Sequence, residues 1–235
     1  MEIAAAAKSV FDETKDVIIT WFGVLSKGPS AFANVDLGTN SALLFALRFL
    51  FYVSVVDFAV SIPAAAANGV RYEDKMFFAV SVTTIYVEYL SVALILYGAM
   101  KLFGGKAPLQ ACIAGYCFLT AYLPVAAILR MPLMTVLNTA LTGGVNYPDQ
   151  IKRGFALLLG LSRWDKTVFI LAAILSTAAY VFFLVNVYRC FRKLHGLRTG
   201  RAGAAFAVGL LLAQLFAMAF LMPFDGAISR AFAGH

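Results

Sequence analysis

Five apolar runs, about Ser41 to Pro63, Met76 to Phe103, Pro108 to Leu129, Thr167 to Tyr188 and Ala202 to Phe224, constrain this chain more than any other feature. Each is long enough for the ~20 residues that carry a helix across a ~30 Å hydrocarbon layer. Backbone surrounded by lipid must satisfy its own hydrogen bonds, so the runs read as helices and not as strands. The stretch LYGAMKLFGGKAPLQACIAGY, Leu96 to Tyr116, poses the alternative of a soluble β-hairpin turning at its glycines. Composition decides against the hairpin. The chain is 62% hydrophobic and 13% charged, whereas soluble domains are about 45–50% apolar and about 25% charged. Half the usual charge cannot cover a water-facing surface of this size. The expected fold is therefore an all-α polytopic membrane bundle with five transmembrane helices. Gly104 and Gly105 form the bend between the second and third, with Lys101 and Lys106 beside it to meet headgroup phosphates.

Ahead of these runs, Ile3, Ala7, Val10, Phe11, Val17, Ile18, Trp21, Phe22 and Leu25 recur at helical spacing, with Lys8, Asp12, Glu13, Lys15 and Asp16 on the other side. This is an amphipathic helix. It is expected to lie on the membrane with Trp21 at headgroup level, the plainer alternative being a helix packed on protein. Gly28-Pro29 ends it near Lys27. The early acids and the lack of a positive leader do not fit a secretory signal. Residues 1–40 are thus assigned to an interfacial helix and linker, and 41–235 to one five-helix transmembrane domain.

The net charge of +7 sits beside apolar runs, which points to anionic lipid and not to nucleic acid. YRCFRKLHGLRTGRAG brings Arg189, Arg192, Lys193, Arg198 and Arg201 together without an acid, and reads as a cytoplasmic loop with a cytoplasmic N-terminus. On the outside, Arg71 and Lys75 are balanced by Glu73 and Asp74. The loop 130–166 opposes this orientation with Arg130, Lys152, Arg153, Arg163 and Lys166. Within it, MPLMTVLNTALTGGV and IKRGFALLLGLSRW read as short helices around the turn GGVNYPDQ, lying flat on the outer surface or dipping between the spans. Cys112 and Cys117 are five apart, which fits neither a redox pair nor a zinc ligand set. Cys190 borders a basic segment, so acylation competes there with plain packing. His195 and His235 have no partner pattern, and neither a metal nor another cofactor is expected.

Ionisable residues inside the runs are the main functional lead. Arg48, Asp57 and Glu88 each cost at least about 2.5–3.5 kcal/mol to insert, so they need partners or a watery cavity. At 1.5 Å per residue Asp57 lies about 24 Å into its span and Glu88 at about 21 Å from the same side, a depth at which the two could face one another. Arg48, about 10 Å in, could reach Glu88 or the headgroups. Tyr86 and Tyr89 flank Glu88 with hydroxyls. The readings are a structural ion pair, a headgroup or polar-cavity role, and a proton path. Tyr116, Tyr122, Asn186 and Gln214 are weaker candidates for interhelical hydrogen bonds, and Gly203/Ala207 and Ala213/Ala217 for close helix approach.

These features resemble the Yip1 (YIPF) domain family. The resemblance rests on Gly104-Gly105 at a short bend, the pair Gly115-Tyr116 in the next helix, and an amphipathic entry followed by Pro29 and Phe32. Five spans with a short C-terminal tail also match. Family members often carry a proline soon after the Gly-Tyr pair, whereas here Pro124 follows eight residues on. The long polar N-terminal region of eukaryotic members has no counterpart, so their contacts with Rab GTPases are not carried over. The resemblance implies a short bacterial-type member in the inner membrane.

No Ser/His/Asp set, phosphate-cradling loop or metal-spaced histidine cluster appears, so no enzymatic activity is expected. Two classes remain. One is a membrane scaffold or adaptor that organises lipid and binds protein partners through its N-terminal helix and basic loops. The other is a small transporter or channel using Arg48, Asp57 and Glu88, with a pore supplied by a homo-oligomer. No inverted repeat, the usual pointer to a transporter, is visible.

Overall fold

A computed structural model of the chain describes residues 2–32, 34–66, 75–141, 156, 159–221 and 223. In the first helix, side chains are described from Asp12 onward. The segment with Arg71, Glu73 and Asp74, the turn GGVNYPDQ with Lys152 and Arg153, and the end with Phe224 and His235 lie outside the described residues. Among the described residues all regular structure is helical.

Helix α1 spans Glu2–Lys27 and passes into a 3-10 turn, Gly28–Phe32. Gly28 takes φ +57, a left-handed conformation that removes the chain from the helix, and Pro29 follows with no N–H to continue it. Helices α2 (Asn40–Ala66) and α3 (Lys75–Leu102) match the first two apolar runs within a few residues. The third run is broken into α4 (Leu109–Leu119) and α5 (Tyr122–Leu141). The break has a local cause. Pro124 has no N–H for the Thr120 carbonyl, which instead accepts from Leu123 N at 2.9 Å in a tighter turn. Helix α6 covers Arg163–His195 and α7 covers Thr199–Phe216, followed by a π-helical turn, Ala217–Leu221.

Five of these stretches are long and apolar enough to cross a membrane: Asn40–Ile62, Met76–Leu102, Leu109–Leu133, Arg163–His195 and Thr199–Leu221. The chain is an integral membrane protein of all-α architecture. The third stretch has 61% of its apolar window buried, against 17–33% in the others, so α4 forms the centre around which the rest assemble. Every residue of α4 from Ala111 to Leu119 except Ile113 is buried. Phe32, Phe45 and Phe49 close on Phe118 at ring distances of 5.4–5.9 Å. By contrast Ile170, Leu171, Ile174, Val181, Leu211 and Leu215 are exposed, the outward apolar surface expected of helices solvated by lipid.

Two expectations change here. Residues 130–141 are not a separate loop helix but the continuation of α5, which accommodates Pro132 in its interior. The basic segment after Tyr188 is helical through His195 and turns only at Gly196, φ 63, whose N–H meets the carbonyls of Arg192 and Lys193. At 33 residues α6 is about 50 Å long, well beyond a hydrocarbon layer. Its cationic end therefore projects as helix.

Helix α1 crosses the bundle. Glu13 reaches Arg48 and Trp21 reaches Phe49, so contacts about 12 Å apart on α1 fall on adjacent residues of α2. Val17 and Val24 are buried on its inner side, while Ile18, Ile19 and Phe22 are exposed. Trp21 donates its indole N–H to the Ala121 carbonyl at 3.0 Å, so its polar end is engaged by protein where a headgroup was expected.

Candidate functional site

The intramembrane polar residues divide into two sites. Arg48 pairs with Glu13 of α1 at 3.7 Å, its side chain 63% exposed. The ion pair lines a shallow groove of about 490 Å³ shared with Tyr52 and Tyr86. Asp57 lies elsewhere. Its Oδ2 accepts a 2.5 Å hydrogen bond from the Tyr89 hydroxyl, and Arg130 is the cation that shares its cavity. These three groups line a cavity of about 290 Å³ with Leu123, Ala126 and Ala127 of α5 and Ser176, Thr177 and Tyr180 of α6.

The helices explain the partnership. Glu88 and Tyr89 are adjacent and point about 100° apart around α3. The tyrosine turns to Asp57. Continuation of α5 places Arg130, otherwise assigned to a loop, at the mouth of the Asp57 cavity. That residue was missed because a charge followed by Met-Pro reads as the end of a span.

The glycine motif has a separate structural basis at each position. Gly104 takes φ +90, which turns the chain. Gly105 lies against the end of α6, where a Cβ would stand 2.1 Å from His195 Nδ1 and 2.8 Å from the Met100 carbonyl oxygen. Next to it, Lys106 N–H donates to the His195 carbonyl at 3.3 Å. His195 is buried, with Nε2 3.2 Å from Cys112 Sγ and Nδ1 without a partner among the described residues. In α4, Gly115 gives way to Cys190, whose Sγ would be 2.9 Å from an added Cβ, and Tyr116 is buried against Phe183. Cys190 is thus a buried packing residue, which leaves acylation no access.

Lys101, Lys106, Arg189, Arg192 and Lys193 are exposed, as headgroup contacts require. Lys101 also lies 5.5 Å from the Tyr97 ring centre. Among the weaker candidates, the Tyr122 hydroxyl donates to the Val24 carbonyl at 2.6 Å and helps hold α1. Gln214 and Ala207 are exposed and Gly203 has no neighbour where a Cβ would be. The close approach in α7 is at Gly209 instead, against Leu96 and Ala99 of α3. Among the described residues no cluster of three or more His, Cys, Asp or Glu could hold a metal ion.

Comparison with family models, with curated proteins and with solved structures finds none that matches the chain.

Proposed function

We propose that the protein is a non-enzymatic membrane scaffold of Yip1 type that gathers anionic lipid around itself. One observation carries this reading. The helix ends and turns at one end of the bundle expose Lys27, Lys101, Lys106, Arg189, Arg192, Lys193, Arg198 and Arg201. Among the described residues of those turns the only acid is Asp36. Each such cation near an anionic surface contributes about 1 kcal/mol of attraction. The outward Ile18, Ile19 and Phe22 of α1 add an apolar edge that suits the boundary between headgroups and chains. In the bacterial inner membrane this cationic end faces the cytoplasm.

The test is reconstitution into vesicles that mix anionic and zwitterionic lipid, reading the immobilised fraction of each spin-labelled lipid. Anionic lipid is enriched beside the protein, and the enrichment falls as salt rises. Equal partition of both lipids at low salt would overturn the reading.

A second reading, a transporter or channel, draws on the cavity that Asp57, Tyr89 and Arg130 line, with Arg48 in a neighbouring groove. It requires liposome flux that drops in Asp57→Asn or Glu88→Gln. Flux unchanged by both removes it.

A further inference from the structure

Between the 3-10 turn, the start of α4 and the last four turns of α6 lies a cavity of about 810 Å³. That volume is within the ~300–1,000 Å³ typical of ligand sites. Along α6 it is lined by Lys193, Arg189, Asn186 and Phe182. Their spacings of four, three and four residues place them on one helix face, about 16 Å from end to end. The order is chemical as well as spatial: two cations nearest the end of the bundle, an amide, then an aromatic ring. Lys27 adds a third cation, and among the described residues the only acid in the lining is Asp36. Phe182 is 50% exposed on the outward apolar surface, so the apolar end of the cavity is continuous with the lipid-facing side of α6.

Asn186 supplies an independent signal. The residue is 3% exposed, and its Nδ2 has no hydrogen-bond partner among the described residues. A buried amide N–H left unpaired loses its water without gaining a partner, so an acceptor is missing at this point. Gly28 is held beside it: a Cβ there would lie 3.1 Å from Asn186 Oδ1, and any larger side chain would fill the approach.

We infer that this cavity seats one anionic phospholipid. Its phosphate lies among Lys27, Arg189 and Lys193, an ester or phosphate oxygen faces Asn186, and an acyl chain leaves past Phe182. The shared chemistry, a phosphate ester on glycerol, also occurs in soluble form. The apolar exit along Phe182 selects the lipid. This seat deepens the lipid-organising function proposed above and rests on it.

Native mass spectrometry of the full-length protein in detergent, titrated with phosphatidylglycerol or phosphatidylcholine, tests the seat. The first phosphatidylglycerol binds about tenfold more tightly than the first phosphatidylcholine, and Arg189→Gln/Lys193→Gln abolishes that preference. Arg198→Gln/Arg201→Gln removes the same charge from the same end, outside the cavity, and lowers first-lipid binding by less than about twofold. An equal loss in both variants, or no preference in the native protein, overturns the seat. Displacement of the lipid by glycerol phosphate at equal concentration assigns the cavity to a soluble anion and overturns it too. If vesicles still show anionic enrichment when the first-lipid preference is absent, only the seat falls. If enrichment is absent as well, the lipid-organising function falls with it.

Discussion

Gly105 and His195 fit together because the glycine has no side chain: the imidazole Nδ1 occupies a point 2.1 Å from where a Cβ would be. The bend between α3 and α4 is thereby seated on the end of α6, 90 residues later in the chain. Gly105→Ala forces the imidazole or the bend to move, an overpacking that costs about 1–3 kcal/mol. Thermal unfolding in detergent should show a lower Tm for Gly105→Ala, and a smaller loss for the same change made in a His195→Ala background. The rescue is partial, since the Met100 carbonyl oxygen is also only 2.8 Å from the added carbon. Equal losses in both backgrounds would mean that His195 is not what excludes a side chain there.

The three cysteines report on the same core. Cys112, Cys117 and Cys190 are free, and their exposures are 0%, 0% and 4%. A membrane-permeant maleimide should modify none of them in the folded protein and all three once the bundle is unfolded. Rapid modification of Cys112 in the native state would contradict its burial against His195.

The number of spans was legible because length and hydropathy are local properties, and lipid gives them one structural solution. Which polar side chains meet was not legible, because that depends on rotation of helices distant in sequence. His195 shows no pattern along the chain, yet its contacts are Cys112, 83 residues away, and Gly105. Depth along the spans says nothing of which way a side chain points, and it is rotation about α3 that brings the Tyr89 hydroxyl to Asp57. The basic stretch after Tyr188 reads as loop by polarity, but Arg and Lys are good helix formers, and Gly196 is where the helix stops. Trp21 by residue type alone suits the membrane interface. Its indole instead finds the Ala121 carbonyl beside the break that Pro124 creates.

The Tyr89–Asp57 hydrogen bond ties α3 to α2 inside the apolar layer. A hydrogen bond to a charged group contributes about 1.5–3 kcal/mol, and Tyr89→Phe should lower stability by that order. In an Asp57→Leu background, where no carboxylate awaits a donor, the same change should cost much less. Tm values for the four proteins of this double-mutant cycle give the coupling directly. Additive losses would show that the two side chains do not depend on one another. Arg130→Ala should also destabilise the protein, because it removes the cation that shares the Asp57 cavity.

Within α1 the tryptophan should matter more than the ion pair. Arg48 and Glu13 are 3.7 Å apart with the arginine largely exposed, a geometry worth at most about 1 kcal/mol. Glu13→Gln should therefore leave Tm nearly unchanged. Trp21 stands edge-on to Phe49 with ring centres 6.2 Å apart and donates to Ala121, so Trp21→Ala loses a hydrogen bond and a packed ring together. Large aromatic truncations cost about 3–5 kcal/mol when fully buried, and Trp21 is partly exposed, so a loss toward the lower end is expected. Trp21→Phe separates the two contributions by keeping much of the ring and removing only the N–H. If Trp21 were instead seated among headgroups, its replacement by alanine would leave the Tm in a lipid-free micelle unaltered and would alter only vesicle association. A fall in the micelle Tm that exceeds the effect of Glu13→Gln identifies α1 as a strap bound to the bundle through its inner face, with Ile18, Ile19 and Phe22 left for lipid.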